Sequence, residues 1–317
     1  MRLASLLVSV LVGVGLTALT ISSLGAEPER SVFSSHTESS NRPDSILTVC
    51  LSGSCDFIDI QSAVDNSQDG DQIKVAAGTY TGDSGHGSVV FLGKDLILSG
   101  GYDEADFDAP PNPLVNPTII DAENQRRGIH VSGEFSVTIE GFRITNGNYE
   151  SHGGGISIFE SDVVVKNNWI YSNTSYTEFG GCGGGIRSTN ANVEMIGNKV
   201  YSNTVPGVGG GACLGVGEHI IVDNVFSNNQ AVEKGGGLLL GESGGEASWS
   251  LVKGNTFISN TADGSAGLAL DTGHFYVIDN LIQDNSSGGI GVNVSSTATI
   301  SNNSIISNVY SGVESYG

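Results

Sequence analysis

The feature that most constrains the fold is a motif that recurs every 22 to 30 residues. Each copy begins with a run of glycine followed by an apolar residue, and Asn-x-apolar-x-x-Asn follows. The glycine anchors are Gly155-Ile156, Gly185-Ile186, Gly211-Ala212, Gly237-Leu238, Gly267-Leu268, Gly289-Ile290 and Gly312-Val313, with a weaker copy at Gly128-Ile129. The asparagine pairs are Asn168/Asn173, Asn198/Asn203, Asn224/Asn229, Asn255/Asn260, Asn280/Asn285 and Asn303/Asn308. A period of this length is typical of a solenoid rather than of a globular core.

Apolar residues fall into aligned columns within each repeat. They alternate after each glycine run, as in Leu238/Leu240, and alternation predicts strands because successive side chains point to opposite faces. A second column lies three residues before the first asparagine: Ile139, Val165, Met195, Ile221, Val252, Val277 and Ile300. A third lies two residues after it: Ile144, Ile170, Val200, Phe226, Phe257, Ile282 and Ile305. Three inward columns predict three short strands per coil, stacked about 4.8 Å apart. The pattern therefore predicts a parallel β-helix.

The corners between strands support this prediction. The residue before the first asparagine, or before Phe142 in an earlier copy that keeps the spacing without the asparagines, is always Gly, Asn or Asp, the types that tolerate left-handed backbone: Gly141, Asn167, Gly197, Asp223, Gly254, Asp279 and Asn302. Asparagine side chains stacked in register can pair amide to amide along the axis. A glycine-rich disordered linker is the alternative, but linkers lack aligned apolar columns.

The repeats resemble those of the pectate-lyase-like superfamily of right-handed parallel β-helices, in particular secreted bacterial repeat proteins. The strings GGGA with Phe226-x-x-Asn229 and GGGL with Phe257-x-x-Asn260 also resemble repeats of chlamydial polymorphic outer-membrane proteins. The resemblance covers about Phe57 to the C-terminus. It implies an all-β fold, a right-handed parallel β-helix of three-strand coils with a short N-terminal capping helix. It leaves function open, since the superfamily contains lyases, hydrolases, epimerases, adhesins and scaffolds.

The chain divides into four predicted segments. Residues 1–26 form a secretory signal, with an uncleaved membrane anchor as the alternative, and residues 27–45 form a disordered spacer. Residues 46–82 form the N-terminal cap, with a helix around Ile60 and Asp59 as its cap. Residues 83–317 form the solenoid, whose first turn or two, to Glu123, is expected to be irregular. The last coil opens at Val313 without a capping element, so we expect a longer natural protein or an edge covered by another chain.

The charge balance limits the partners. Asp and Glu total 34 against 13 Lys and Arg, for a formal net charge of −21. Such a chain is a poor ligand for nucleic acid or anionic membrane. We expect a secreted or cell-surface protein whose partners are polysaccharide or cell-surface protein, and the oligomeric state is open.

Four cysteines suit an oxidising compartment. Cys50 and Cys55 lie close together in a loop and are expected to form a disulfide, with two free thiols as the alternative. Cys182 and Cys213 occupy repeat positions that differ by five residues, so we do not expect them to stack directly.

The densest acidic cluster is a candidate calcium loop. Asp103, Asp106 and Asp108, together with Glu104, provide oxygen ligands one or two residues apart. Their spacing matches no EF-hand or nonapeptide calcium repeat, so a solvated acidic loop is the competing interpretation. No other cofactor is predicted.

Three aromatic residues are candidates for ligand binding. Trp169, Tyr171 and Tyr201 flank the inward residues Ile170 and Val200 and should therefore point outward. Tyr171 and Tyr201 hold the same position on adjacent coils and are expected to stack. Exposed aromatic rows bind sugar rings or partner surfaces, whereas packing among themselves or under the 175–182 loop would be purely structural.

No catalytic group can be assigned from the sequence. Gly85-His86-Gly87 matches a fragment of the hydrolase signature in polygalacturonase relatives, without its partner elements. Arg187 is the one outward arginine just after a glycine corner, and no outward carboxylate pair suits inverting hydrolysis. We therefore expect a structural or adhesive module that binds carbohydrate or protein. The alternative is a polysaccharide lyase or hydrolase.

Overall fold

A computed structural model of the chain describes residues 8–10, 45–178, 180–241 and 249–317. Residues 1–7 and 11–44 include most of the predicted signal and nearly all of the predicted spacer, and they lie outside the described residues. Val8–Val10, within the predicted signal, pairs antiparallel with Ala298–Ile300. Among the described residues, no helix has the length and apolarity needed to cross a membrane.

The described chain is a parallel β-solenoid with three long sheets, so the predicted fold class is confirmed. Sheet C holds the strands after the glycine runs: Ser88–Leu92, Arg127–Ser132, Ile156–Phe159, Ile186–Thr189, Ala212–Leu214, Leu238–Leu240, Leu268–Leu270, Ile290–Asn293 and Val313–Tyr316. Sheet A precedes the first asparagine of each pair: Val8–Val10, Ile46–Val49, Gln72–Ala76, Leu96–Tyr102, Ser136–Glu140, Asp162–Lys166, Asn192–Ile196, His219–Val222, Trp249–Lys253, His274–Ile278 and Thr297–Ser301.

Sheet B lies between the paired asparagines, and a short fourth sheet follows it. The strands of sheet B are Gly78–Tyr80, Thr118–Asp121, Phe142–Thr145, Trp169–Tyr171, Lys199–Tyr201, Val225–Ser227, Thr256–Ile258, Leu281–Gln283 and Ser304–Ile306. The fourth sheet consists of Asn148–Tyr149, Thr174–Ser175, Thr204–Val205 and Gln230–Ala231. Each coil therefore runs from sheet C to sheet A to sheet B, and the register between coils follows the repeat, as in the pairing of Met195 with Ile221.

The three predicted inward columns form the core. Ile139 through Val277 in sheet A and Ile144 through Ile282 in sheet B are fully buried, and only the last members, Ile300 and Ile305, are partly exposed. The glycine runs permit the close approach of neighbouring coils: a β-carbon at Gly155 would lie 2.6 Å from the carbonyl oxygen of Gly185. Burial of these columns is the main driving force for the fold.

Two ladders of asparagine side chains run along the axis, as predicted. In the ladder through Asn203, Asn229 and Asn260, each Nδ2 donates to the Oδ1 of the next asparagine at 3.0 Å. Each Nδ2 also donates to a backbone carbonyl of the preceding coil. The residues before the first asparagines, and Gly141 before Phe142 in the earlier copy, all have positive φ: Gly141, Asn167, Gly197, Asp223, Gly254, Asp279 and Asn302. The corner residues were therefore predicted correctly.

The one short helix of the described chain, Ile60–Asn66, lies near the N-terminal end, after the strand Ile46–Val49. The Asp59 side chain accepts a hydrogen bond from the backbone N–H of Ser62, which satisfies one of the donors left free at a helix start. Ile60, Ala63 and Val64 are buried, as their helical spacing predicted. Residues 82–123 are more regular than expected. They place one strand in each long sheet, and the irregularity is confined to residues 103–117, which replace a tight asparagine corner.

Candidate functional site

The outward face of sheet B carries the aromatic residues predicted from the sequence. Trp169 and Tyr171 lie on one strand, and Lys199 and Tyr201 lie opposite them on the next. Arg143 pairs with Trp169 from the preceding strand. We refer to Arg143, Trp169, Tyr171, Lys199 and Tyr201 as the sheet B strip. Its members alternate along their strands with the buried residues of the third column, which places all five side chains on one surface of the solenoid.

Tyr171 and Tyr201 stack as their register predicted. Their ring centroids are 4.9 Å apart and their planes differ by 5°. Burial raises the pKa of Tyr201, the nearby Tyr171 raises it further, and the positive charge of Arg143 opposes both effects. Both rings are half-buried, so each presents an edge to solvent while it contacts its neighbour. At neutral pH the Tyr201 hydroxyl is protonated and can donate a hydrogen bond to a ligand.

Trp169 is held between two cations. The Arg143 guanidinium carbon and the Lys199 ammonium nitrogen each lie 4.6 Å from the centroid of the Trp169 rings, within the range of a cation–π interaction. Arg143 also donates to the carbonyl oxygen of Pro113, at 3.4 Å. Neither Arg143 nor Lys199 was among the site residues predicted from the sequence. The signal was present, because both occupy the repeat position of Trp169 on adjacent coils.

The sheet B strip lies on a surface without acidic strand residues. From Phe142–Thr145 to Leu281–Gln283, the outward strand positions of sheet B hold two cations and no carboxylate. The side chain of Asp223, at a nearby corner, lies over Gly254 of the following coil. For a chain with 34 acidic residues, this is a local reversal of charge.

The predicted calcium loop uses its carboxylates to close turns. Asp103 Oδ1 accepts from the backbone N–H of Ala105 at 2.9 Å. Asp106 Oδ1 accepts from those of Asp108 and Ala109, both at 3.1 Å. Within the described ranges, no group of three or more His, Cys, Asp or Glu side chains is arranged to hold a metal ion. Both interpretations of this loop, the calcium loop and the solvated acidic loop, stay predictions.

Arg187 points outward from sheet C as expected, but it is not accessible. It is 4% exposed, and its Nη1 lies 2.8 Å from Cys182 Sγ and 3.1 Å from Cys213 Sγ. Direct stacking of these cysteines was not expected from their repeat positions, and in the structure they are joined with their Cα atoms 5.8 Å apart. At Gly183, where φ is +72°, the backbone turns against Ile186 and Arg187 of the strand that follows it, and Cys182 is joined there to Cys213 of the next coil. Alignment of the repeat positions could not predict this contact, because it joins residues at different positions of the repeat.

The second cysteine pair and His86 lie near the N-terminal end. Cys50 and Cys55 are joined by a disulfide with Cα atoms 5.6 Å apart. His86 is exposed and stacks on Phe91, with ring centroids 4.0 Å apart. Phe91 lies 5.6 Å from the ring of His130. Burial, together with the nearby Arg127 and His86, lowers the pKa of His130 to about 4, so His130 is neutral at pH 7.

A groove of about 670 Å³ runs along the corner between sheets C and A. Glu134, Glu160 and Asp162 contribute acidic groups to its lining, and Asp162 accepts a hydrogen bond from Asn192 at 2.8 Å. The sequence analysis selected none of these residues. Their charge makes the groove unsuited to an anionic ligand, in contrast to the sheet B strip.

Comparison with known proteins identifies the family of the fold. A family model described as "Right handed beta helix region" matches residues 111–261 and 209–317. No curated protein sequence matches the chain. Similar solved structures include a DFA-IIIase from Arthrobacter chlorophenolicus A6 crystallised without its lid, with 15% identity over 77% of this chain and 67% of that one and a TM-score of 0.37.

Two further structures have the same level of similarity. A pectin methylesterase from Aspergillus niger is 14% identical over 87% of this chain and 86% of its own, with a TM-score of 0.32. An alginate lyase from Paenibacillus sp. str. FPU-7 is 13% identical over 86% of this chain and 99% of its own, with a TM-score of 0.30. At these identities the likeness concerns the fold. The family match, the aligned columns and the parallel sheets together show that the chain belongs to the right-handed β-helix family.

Proposed function

We propose that this protein is an exported β-helix module that binds glycans through the sheet B strip. The observation that carries the proposal is the stacked, half-exposed pair Tyr171 and Tyr201 beside Trp169 on a regular face. Aromatic side chains offer large, rigid contact area and, in tyrosine, a hydroxyl that can bond to sugar hydroxyls. The outward position of these rings means that the core does not need them.

Export is a further part of the proposal. The apolar N-terminal segment after Arg2 and the Cys50–Cys55 disulfide both suit an oxidising compartment. The proposed role at the cell surface or in the medium is adhesive or structural, a role for which a binding face suffices.

The test is retention on immobilised glycans by the chain with Tyr171→Ala and Tyr201→Ala. Each ring is worth about 1 kcal/mol beyond its buried area, so the double change should weaken binding roughly tenfold or more. Tyr276→Ala is the matched control, because Tyr276 is a half-buried, outward tyrosine on sheet A. A glycan array probed with both variants identifies which ligands depend on the strip. Equal retention of the unmodified chain, the double tyrosine variant and the Tyr276→Ala control would refute the proposal.

The alternative function, a polysaccharide lyase or hydrolase, is tested by measuring whether the protein cleaves the same kinds of glycan. Arg187, the arginine selected for that chemistry, is buried under the chain around Cys182 and cannot contact a polymer in this conformation. Incubation with acidic and neutral polysaccharides, with and without calcium, should release neither unsaturated nor reducing ends. Robust turnover would replace the binding proposal with the enzymatic one.

A further inference from the structure

Resting on the proposed function, we infer that the ligand is an acidic glycan whose carboxylate or sulfate groups are bound by Arg143 and Lys199. These two cations face solvent from neighbouring positions of the sheet B strip. Neither has a carboxylate partner among the ion pairs of the described residues. In a chain with 34 acidic residues and 13 basic ones, most cations could find a carboxylate partner, so two cations without one on the same face are unusual.

The geometry around Trp169 indicates that this ring positions the two cations and does not stack on a sugar. Arg143 lies on the strand before Trp169 and Lys199 on the strand after it, so the order along the axis is cation, ring, cation. Both cationic groups are 4.6 Å from the centroid of the Trp169 rings. A ring that is contacted by a cation from each side has little face left for a sugar. Trp169 therefore acts as a positioning residue that fixes the two charges.

The spacing of the charges suits a polymer that lies along the solenoid axis. Arg143 and Lys199 are two strands apart, and strands of one sheet are about 4.8 Å apart, so their backbones are separated by about 10 Å. A chain of sugar rings with regularly repeated anionic groups can contact both. Tyr171 and Tyr201 lie beside this path, and the outer face of Tyr201 adjoins the small residue Ser227. The tyrosines thus supply contact with the sugar and the cations supply charge selectivity.

The acidic residue on the strand before Arg143 is engaged by other groups. Asp121 lies on the strand before Arg143, pairs with Thr145 and accepts hydrogen bonds from Asn146 and from the backbone N–H of Glu123, both at 2.9 Å. It marks the N-terminal limit of the cationic surface. Beyond Lys199, the outward strand positions through Gln283 are neutral. Salt would screen the attraction of an anionic polymer to such an exposed site, which gives the inference a simple diagnostic.

Three polymers with one backbone test the inference: dextran, carboxymethyl-dextran and dextran sulfate. We expect the two anionic polymers to bind the full chain at least tenfold more tightly than dextran at about 50 mM salt, with the preference largely lost at about 500 mM. Which anionic polymer binds better distinguishes a carboxylate from a sulfate ligand. Arg143→Gln with Lys199→Gln should abolish the preference. Lys166→Gln, which removes a sheet A cation paired with Glu140 at 2.8 Å, should leave it unchanged.

The outcomes separate the inference from the proposed function. Equal binding of all three polymers that still depends on Tyr171 and Tyr201 would overturn the charge inference and leave glycan binding intact. A comparable loss of preference in the Lys166→Gln variant would overturn it as well, because the effect would then be nonspecific. Failure of both anionic polymers to bind would also overturn it, and the tyrosine-dependent array would then decide the proposed function separately. Thermal unfolding of the Arg143→Gln and Lys199→Gln variant establishes that lost binding is not lost folding.

Discussion

Replacement of Asn229 by alanine tests the asparagine ladder as a source of stability. Asn229 is fully buried, and its Oδ1 accepts from the backbone N–H of Asn203 at 3.1 Å and from Asn203 Nδ2 at 3.0 Å. Its Nδ2 donates to the carbonyl of Val200 at 2.9 Å and to Asn260 Oδ1 at 3.0 Å. Alanine would leave the Asn203 N–H, one Asn203 amide hydrogen and the Val200 carbonyl without these partners.

The expected cost follows from that count. Leaving a buried polar group unsatisfied costs about 1–3 kcal/mol. Asn260 Oδ1 keeps the hydrogen bond from the backbone N–H of residue 229, at 3.0 Å, and some water can enter the space vacated. We therefore expect Asn229→Ala to lower the free energy of unfolding by about 3–6 kcal/mol, measured by urea denaturation followed by circular dichroism.

The matched control is the last asparagine of the same ladder. Asn308 accepts from the backbone N–H and Nδ2 of Asn285 and donates to the carbonyl of Ile282, but it is only partly buried. Water can replace its bonds, so Asn308→Ala should cost less than about 2 kcal/mol. Equal losses from the two substitutions, or a loss below about 1 kcal/mol at Asn229, would refute the view that desolvated amides stabilise the stack.

Two further perturbations test the core. Ile221→Asp buries a carboxylate between the aligned residues Met195 and Val252 and should lower the free energy of unfolding by several kcal/mol. The same change at the outward neighbour, Ile220→Asp, should lower it far less. Similar melting temperatures for the two variants would contradict the strand assignment. Burial lowers the pKa of His219 to about 4, so as the pH falls the histidine is protonated in the unfolded chain before it is protonated in the folded chain. The stabilisation of the folded state by neutral His219 is complete above about pH 6.5, and the free energy of unfolding should fall by about 3 kcal/mol toward pH 4. His219→Phe, which repeats the inward residue Phe275 of the same column, should remove that pH dependence, and an unchanged acid transition would exclude His219 as its cause.

The regular part of the fold was predictable because it repeats. Columns such as Met195, Ile221 and Val252 and the left-handed corners before the asparagines follow from side-chain alternation and corner chemistry, which are local properties. The stacking of Tyr171 on Tyr201 follows from the same register. Each of these features depends only on equal positions in adjacent coils.

The features that sequence reasoning missed have three different physical reasons. Cys182 reaches Cys213 because the chain turns back at Gly183, so two residues five repeat positions apart become neighbours and bury Arg187. The regular coil within residues 82–123 was missed because the segment lacks the glycine and asparagine anchors, although Leu98 and Ile120 occupy the usual core columns. Lys199 was missed for a different reason. Its charge alone describes an ordinary surface residue, and its relation to Trp169 is visible only when the coils are superposed.

The asparagine ladders also bear on how such a chain can change in evolution. Each interface between coils uses the same donors and acceptors, as in the steps from Asn203 to Asn229 and from Asn229 to Asn260. A duplication or deletion of one whole coil therefore preserves the bonding at its new boundaries and changes the length of the solenoid by about 4.8 Å. The segments between the ladders differ in length, with repeats of 22 to 30 residues, and do not disturb the ladder bonds. Gene-level gain or loss of single repeats can thus adjust the reach of the molecule without redesign of its core.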